Sequence, residues 1–173
     1  MRNLLILFLT LFGLLGCSAS VEDHRGTAPA IDIFEYFAGE VTAWGMLQDY
    51  RGKQTRRFEA QIIGTVSGNT LTLDEVFVFD DGERQTRVWT IIRNADGSYS
   101  GTAGDVIGSA TGKVAGNVLH WQYQLEVALD DSTIVLTMDD WLYRQDERHM
   151  FNRTSMRKLG VEVGELTLFF QKQ

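Results

Sequence analysis

Residues 71–91 read LTLDEVFVFDDGERQTRVWTI. Two runs rich in β-branched and aromatic residues flank Asp80-Asp81-Gly82, the composition of two strands joined by a tight turn. Residues two apart on a strand share a face, so Leu71, Leu73, Glu75 and Phe77 form one row and Glu75 is an acid on an apolar face. The turn decides what it meets. A two-residue loop of Asp81-Gly82 pairs Glu75 with Val88; a three-residue loop of Asp80-Asp81-Gly82, with Gly82 left-handed, pairs it with Arg87. The second register is preferred, because it also sets Leu73 against Trp89 and Leu71 against Ile91, giving each apolar residue an apolar neighbour. Glu75 and Arg87 then form a cross-strand ion pair. It matters if that row faces inward and contributes about 0–1 kcal/mol if it faces water.

The same pattern continues on both sides. From Glu40 onward the chain has no proline and breaks into short alternating segments. Strands are expected near 40–48, 55–67, 70–79, 84–93, 98–105, 107–115, 118–128, 134–143, 149–158 and 162–172, divided by turn residues such as Ser67-Gly68-Asn69, Asn94-Ala95-Asp96-Gly97 and Gly116-Asn117. Ten strands joined by tight turns make an antiparallel meander, and a meander that long leaves exposed edges unless it closes. The expected fold is therefore all-β: an up-and-down barrel of about 8–10 strands with a short N-terminal helix, its interior wide enough for side chains or one small ligand. Pro29 stands where that helix could begin, with Ile31, Ile33, Phe34 and Phe37 on one stripe ended by Gly39. Alternation separates two faces, as where Leu119, Trp121, Tyr123, Leu125 and Val127 oppose His120, Gln122, Gln124 and Glu126. A membrane-spanning barrel also alternates, but a lipid anchor would be redundant in it.

That anchor is read from MRNLLILFLTLFGLLGC. A basic start at Arg2 precedes an apolar run, Leu4 to Leu15, too short to span a bilayer, which marks residues 1–16 as a secretory signal. Leu14-Leu15-Gly16-Cys17 resembles the lipobox of bacterial lipoproteins, and the chain's one cysteine falls where that motif needs it. Cys17 is thus expected to carry the acyl chains that hold the protein to a membrane. No thiol then remains for a disulfide, and stability must come from the core. By the usual sorting rule, Ser18 points to the outer membrane, facing the periplasm. Residues 17–28 read as a lipidated tether and 29–173 as one barrel domain. Loss of Arg2 takes the formal charge from −7 to −8, which argues against nucleic acid as partner.

Chemistry-bearing motifs are sparse. Gly104, Gly108, Gly112 and Gly116 recur every fourth residue, either as a bare stripe for close approach or as bends and a turn. His24, His120 and His149 share no metal-binding spacing, and no nucleophile elbow accompanies them, so neither a metal, a cofactor nor an enzymatic site is expected. Asp139 and Asp140 are adjacent on a strand and must point apart. Arg87, Arg153 and Glu165 stand mid-strand among apolar neighbours, where a buried charge needs a partner.

Several stretches together resemble a family of bacterial lipoproteins known as the domain of unknown function 3833. They are Ala43-Trp44-Gly45 with Gln48-Asp49, Leu73-Asp74-Glu75, Gly82-Glu83, Arg87-Val88-Trp89, Tyr99, Gly101, Asp105-Val106-Ile107-Gly108, Gly116-Asn117, Trp121, Tyr123, Asp139-Asp140-Trp141, Asn152-Arg153 and Val163-Gly164-Glu165. The resemblance covers nearly the whole chain after Cys17 and implies a secreted, lipid-anchored domain, lipocalin-like in layout, without an established activity. The chain departs from the lipocalin pattern in lacking a compact Gly-x-Trp signature, since Gly39 lies five residues before Trp44.

The functional expectation is a non-enzymatic, lipid-anchored envelope protein whose barrel holds a small hydrophobic or amphiphilic ligand of the fatty acid or lipid class. Trp44, Trp89, Trp121 and Trp141 are the expected lining, with Glu75, Arg87, Arg153 and Glu165 as polar anchors. The alternative is a packed barrel that acts as a structural or protein-interaction module. Both faces carry aromatics, so the inner face is open at this point, and interior volume separates the two readings.

Overall fold

A computed structural model describes residues 19–129 and 132–173; residues 1–16, expected to be a signal sequence, and Cys17 lie outside the described residues. Ten antiparallel strands close into a barrel: β1 (Gly39–Asp49), β2 (Gln54–Ser67), β3 (Thr70–Phe79), β4 (Arg84–Arg93), β5 (Tyr99–Thr102), β6 (Val106–Ala115), β7 (Val118–Leu129), β8 (Ser132–Arg144), β9 (His149–Lys158) and β10 (Val161–Lys172). Each strand pairs with its sequence neighbours and β1 pairs with β10. Each strand thus has two hydrogen-bonded neighbours, though the ladders of the short β5 span only four residue pairs with β4 and three with β6.

The β3–β4 hairpin has the expected register: Leu71 faces Ile91, Leu73 faces Trp89 and Glu75 faces Arg87. Its loop is Asp80-Asp81-Gly82, closed by a hydrogen bond from the Phe79 N–H to the Glu83 carbonyl at 2.9 Å. Gly82 takes φ +87°, which only glycine adopts without strain.

The inner face is the one that carries Val41, Ala43, Ala60, Ile62, Leu71, Leu73, Trp89, Ile91, Leu119, Trp121, Leu142, Met150 and Phe170, all buried. Outward positions on the same strands, such as Glu59, Gln61, Asp74, Gln122, Gln124 and Glu126, are exposed. Apolar within and charged without is the reverse of the order a lipid-spanning barrel requires.

Helix α1 (Ile33–Phe37) closes one end, inserting Ile33, Phe34, Tyr36 and Phe37 into the barrel mouth. It begins four residues beyond Pro29, because Asp32 supplies the cap: its carboxylate accepts from the N–H of Phe34 (2.9 Å) and of Glu35 (3.3 Å). Arg93 donates to the same carboxylate at 2.6 Å. At the other end of the helix, Lys172 donates to the carbonyls of Glu35, Tyr36 and Ala38 at 2.7, 3.0 and 2.9 Å. The Tyr36 hydroxyl donates to the Arg148 carbonyl at 2.8 Å. The plug is thereby tied to strands from both sides of the barrel.

Residues within the stretch read as a tether also pack on the barrel. Val21–His24 forms a 3-10 turn capped by Ser20, with Val21 buried. His24 packs against Trp141 and Tyr143 on the outer wall, and Thr27 bonds Asn117.

Candidate functional site

The barrel encloses a cavity of about 590 Å³, within the range of small-molecule sites. Its space comes from residue size. Strands β1 and β2 line it with Ala43 and Ala60, while the bulk of Trp89 and Trp121 is gathered on the opposite side. Trp121 lies flat against strands without side chains there: a Cβ at Gly112 would come within 2.4 Å of the indole and one at Gly101 within 2.7 Å. This is the use found for one member of the four-glycine series. Gly104 and Gly116 sit in turns, and Gly108 marks the register shift in β6.

Burial is graded along the axis. Near α1 the inner residues Val41, Leu71, Val118 and Met150 are wholly enclosed. Toward the far end, Leu47, Phe58, Phe79, Leu125, Val127 and Leu166 are only half-buried. At that rim Arg56 lies over the Phe79 ring at 3.6 Å and pairs with Asp81 at 2.8 Å and with Glu83 at 2.5 Å.

Across the middle of the cavity runs a polar girdle. Glu75 and Arg87 face each other across β3 and β4, but no hydrogen bond or ion pair joins them. Arg87 is clamped instead by Asp105, in the turn before β6, with Nε 3.1 and 3.0 Å from the two carboxylate oxygens and Nη2 at 2.6 Å. The expected Glu75–Arg87 pair is therefore a neighbour relation without contact, because the bidentate Asp105 geometry satisfies the guanidinium better than a cross-strand glutamate can. Tyr123, Asp140, Asn152 and Thr154 complete the girdle from β7, β8 and β9.

Asp140 is 7% exposed and Asn152 3%. Thr154 and Tyr123 stand beside the Asp140 carboxyl and favour its charged form, and Asn152 Nδ2 donates to Thr154 Oγ1 at 3.2 Å. Among the described residues four buried side-chain atoms have no hydrogen-bond partner: the acceptors Asp140 Oδ1 and Asn152 Oδ1, and the donors Arg56 Nε and Arg93 Nε.

Burial pushes the Glu75 carboxyl up to about 7; Arg87 pulls it down and Asp105 pushes it further up. Burial likewise raises Asp140 to about 7, against the hydrogen bond from Thr154 and with help from the charge of Asp139. Tyr123 is driven well above its ordinary value, chiefly by burial and then by Asp140. Glu75 keeps some accessible surface, but that surface opens into the cavity.

The eight residues expected to line the interior divide evenly. Trp89, Trp121, Glu75 and Arg87 stand on the cavity wall, with Trp89 and Trp121 edge to face at 5.8 Å. Trp44, Trp141, Arg153 and Glu165 lie on the outer wall, a correction to that expectation. Trp44, 42% exposed, stacks on Phe169 and donates to Glu59 at 3.1 Å. Trp141 stacks on His120 at 4.3 Å and donates to Asp139 at 3.0 Å. Arg153 and Glu165 pair with each other across β9 and β10. The reason is phase: Trp44 alternates with Ala43 and Gly45, and Trp141 with Asp140 and Leu142, so the wide indoles lie outside and the small or polar residues within.

The residues that were missed carried the same signal. Asp140 is in phase with Leu136, Met138 and Leu142, and Asn152 with Met150 and Met156. Asp105 had no such signal, because it reaches Arg87 from a turn. Among the described residues no three of His, Cys, Asp and Glu stand together as metal ligands.

A family model described as "Protein of unknown function (DUF3833)" matches residues 11–172. No curated protein matches the chain.

Proposed function

The chain belongs to the DUF3833 family of proteins of unknown function, and we propose that it is a carrier: a lipid-anchored protein of the bacterial cell envelope whose barrel holds one small amphiphilic ligand. The observation that carries the reading is the cavity itself, about 590 Å³, apolar over most of its wall and crossed by a girdle of buried polar groups. An apolar pocket with a few convergent polar groups suits a chain with a head group; a barrel built only for rigidity would fill that space, since interiors pack to crystal density. The anchor in this proposal is acylated Cys17 in Leu14-Leu15-Gly16-Cys17, which places the barrel at the periplasmic face of the outer membrane.

The proposal assigns binding rather than turnover. The cavity groups best able to polarise a carbonyl already stand with acids: Arg87 with Asp105, Arg56 at the rim with Asp81 and Glu83, and Tyr123 beside Asp140. Among the described cavity residues no serine, threonine or lysine nucleophile stands against a histidine base.

Tryptophan quenching tests the reading. In the variant Trp44→Phe/Trp141→Phe, only Trp89 and Trp121 remain, both on the cavity wall. Titration with 12-bromododecanol should quench them saturably at one equivalent. Absence of quenching below the micellar range would refute a carrier.

A second reading, an interaction module acting through its outer wall, is favoured by one feature. Trp44, Phe151 and Phe169 form an exposed aromatic patch across β1, β10 and β9, with ring centroids 6.1 and 5.1 Å apart.

A further inference from the structure

We infer that the head group held in this cavity is a positively charged hydrogen-bond donor, a protonated amine, and not the carboxylate of a fatty acid. The inference rests on the carrier reading and specifies its ligand.

The charges of the girdle are unequal. The one arginine at its centre, Arg87, is matched by Asp105 through three short contacts. What remains is Glu75 and Asp140, two carboxyls with no cation of their own. A fatty acid carboxylate would have to displace Asp105 from Arg87 and then lie beside two further acids. Nothing in the girdle offers it a free charged donor pair.

The hydrogen bonds point the same way. Thr154 stands beside the Asp140 carboxyl and favours its charged form as a donor. The Thr154 oxygen accepts from Asn152 Nδ2. In that arrangement the Asn152 oxygen is turned away from Thr154, so the two unpartnered buried atoms of the girdle, Asp140 Oδ1 and Asn152 Oδ1, are both acceptors; the other two among the described residues are donors outside it, Arg56 Nε at the rim and Arg93 Nε beside α1. Both residues line the cavity and both are more than nine-tenths buried. Buried acceptors left unpaired cost free energy that a donor would recover. An ammonium brings three donors and the charge that Glu75 and Asp140 lack. The rim continues the theme, with Arg56 outnumbered by Asp81 and Glu83.

The groups that act on the two carboxyls are Arg87, Asp105 and Tyr123 for Glu75, and Thr154, Tyr123 and Arg87 for Asp140, with the charge of Asp139 reaching Asp140 from the outer face. Only Arg87 is cationic among them, and it serves Asp105. Amine binding therefore strengthens as pH rises through about 7, where both carboxyls ionise.

The test compares dodecylamine, dodecanol and dodecanoate by calorimetric titration into residues 18–173, below micellar concentrations. At pH 8 the amine should bind about tenfold or more tighter than dodecanoate, about one charge-assisted hydrogen bond in strength. Glu75→Gln and Asp140→Asn, each nearly isosteric, should each weaken the amine about tenfold and leave dodecanol within about twofold. Amine affinity should fall from pH 8 to pH 5.5. Dodecanoate binding as tightly as the amine in the unaltered protein overturns the head-group inference and leaves the carrier reading standing. Failure of all three to bind removes the carrier reading, and the inference with it.

Discussion

Glu75→Gln should make the ligand-free barrel more stable at pH 8 and leave it unchanged at pH 4. Burial holds the Glu75 carboxyl up to about 7 from an ordinary 4.5. Between those values the folded protein keeps a proton that the unfolded chain has released, so stability is fully present below about 4.5 and is lost as pH rises through 7. At 1.36 kcal/mol per pH unit the loss amounts to about 3 kcal/mol, an upper figure because the cavity has room for water around the carboxylate. Glutamine has nearly the same shape and does not ionise. Arg87 keeps its clamp from Asp105 in the variant, so the substitution leaves no cation unpaired. Urea unfolding followed by tryptophan fluorescence, from pH 4 to 8.5 on both proteins, gives the difference. Asp140 titrates in both and cancels. The variant should match the parent at pH 4, gain steadily above pH 5, and lead by about 2–3 kcal/mol at pH 8 with an unchanged denaturant slope. A difference that does not vary with pH, or a variant weaker than the parent at pH 8, would show that ionised Glu75 is stabilised within its row and would refute the reasoning.

Arg87→Met should cost about 1.5–3 kcal/mol by removing the charge-assisted clamp on the part-exposed Asp105, whereas Arg153→Met on the outer wall should cost under about 1 kcal/mol; equal costs in denaturant unfolding would contradict the placement of the two arginines. Gly112→Val would drive its side chain into the Trp121 ring, 2.4 Å from the Cβ position, and should lower stability by about 1–3 kcal/mol or more with a shift in tryptophan emission; an unchanged melting temperature would mean that the indole lies elsewhere. Lys172→Met strips the carbonyls of Glu35 and Tyr36 in α1 and of Ala38 just beyond it of their donor, and should cost about 1.5–3 kcal/mol and speed amide exchange in residues 33–37 before the strands; uniform exchange would contradict the tie.

The fold was legible because β-structure writes itself in alternation and turn residues, and here both are strong. The Asp80-Asp81-Gly82 loop settled a register to the residue, since only a three-residue loop paired Leu73 with Trp89 and Leu71 with Ile91. The site was half legible. Phase alone puts Trp89, Trp121, Glu75 and Arg87 on one wall. It also puts Trp44 and Trp141 on the other, but aromatic bulk is an unreliable guide to burial when neighbouring inner positions are Ala43 and Gly45. Arg153 and Glu165 alternate with Asn152, Thr154, Gly164 and Leu166, a mixture that hides which face is inner. Asp105 could not be found by periodicity at all, since a turn residue has no phase, and its bond to Arg87 spans a strand and two turns. The helix start likewise depends on a cap three residues past Pro29, because Asp32 satisfies two N–H groups that Pro29 cannot reach.

The most direct test of the carrier account is native mass spectrometry with lipid extraction on residues 18–173, purified from a bacterial periplasm without detergent. The account predicts one bound amphiphile per barrel, with an amine head group, reduced in Asp140→Asn while the melting curve shows the fold intact. A clean ligand-free mass, with no thermal shift across amine, alcohol, fatty acid and phospholipid panels, would contradict it.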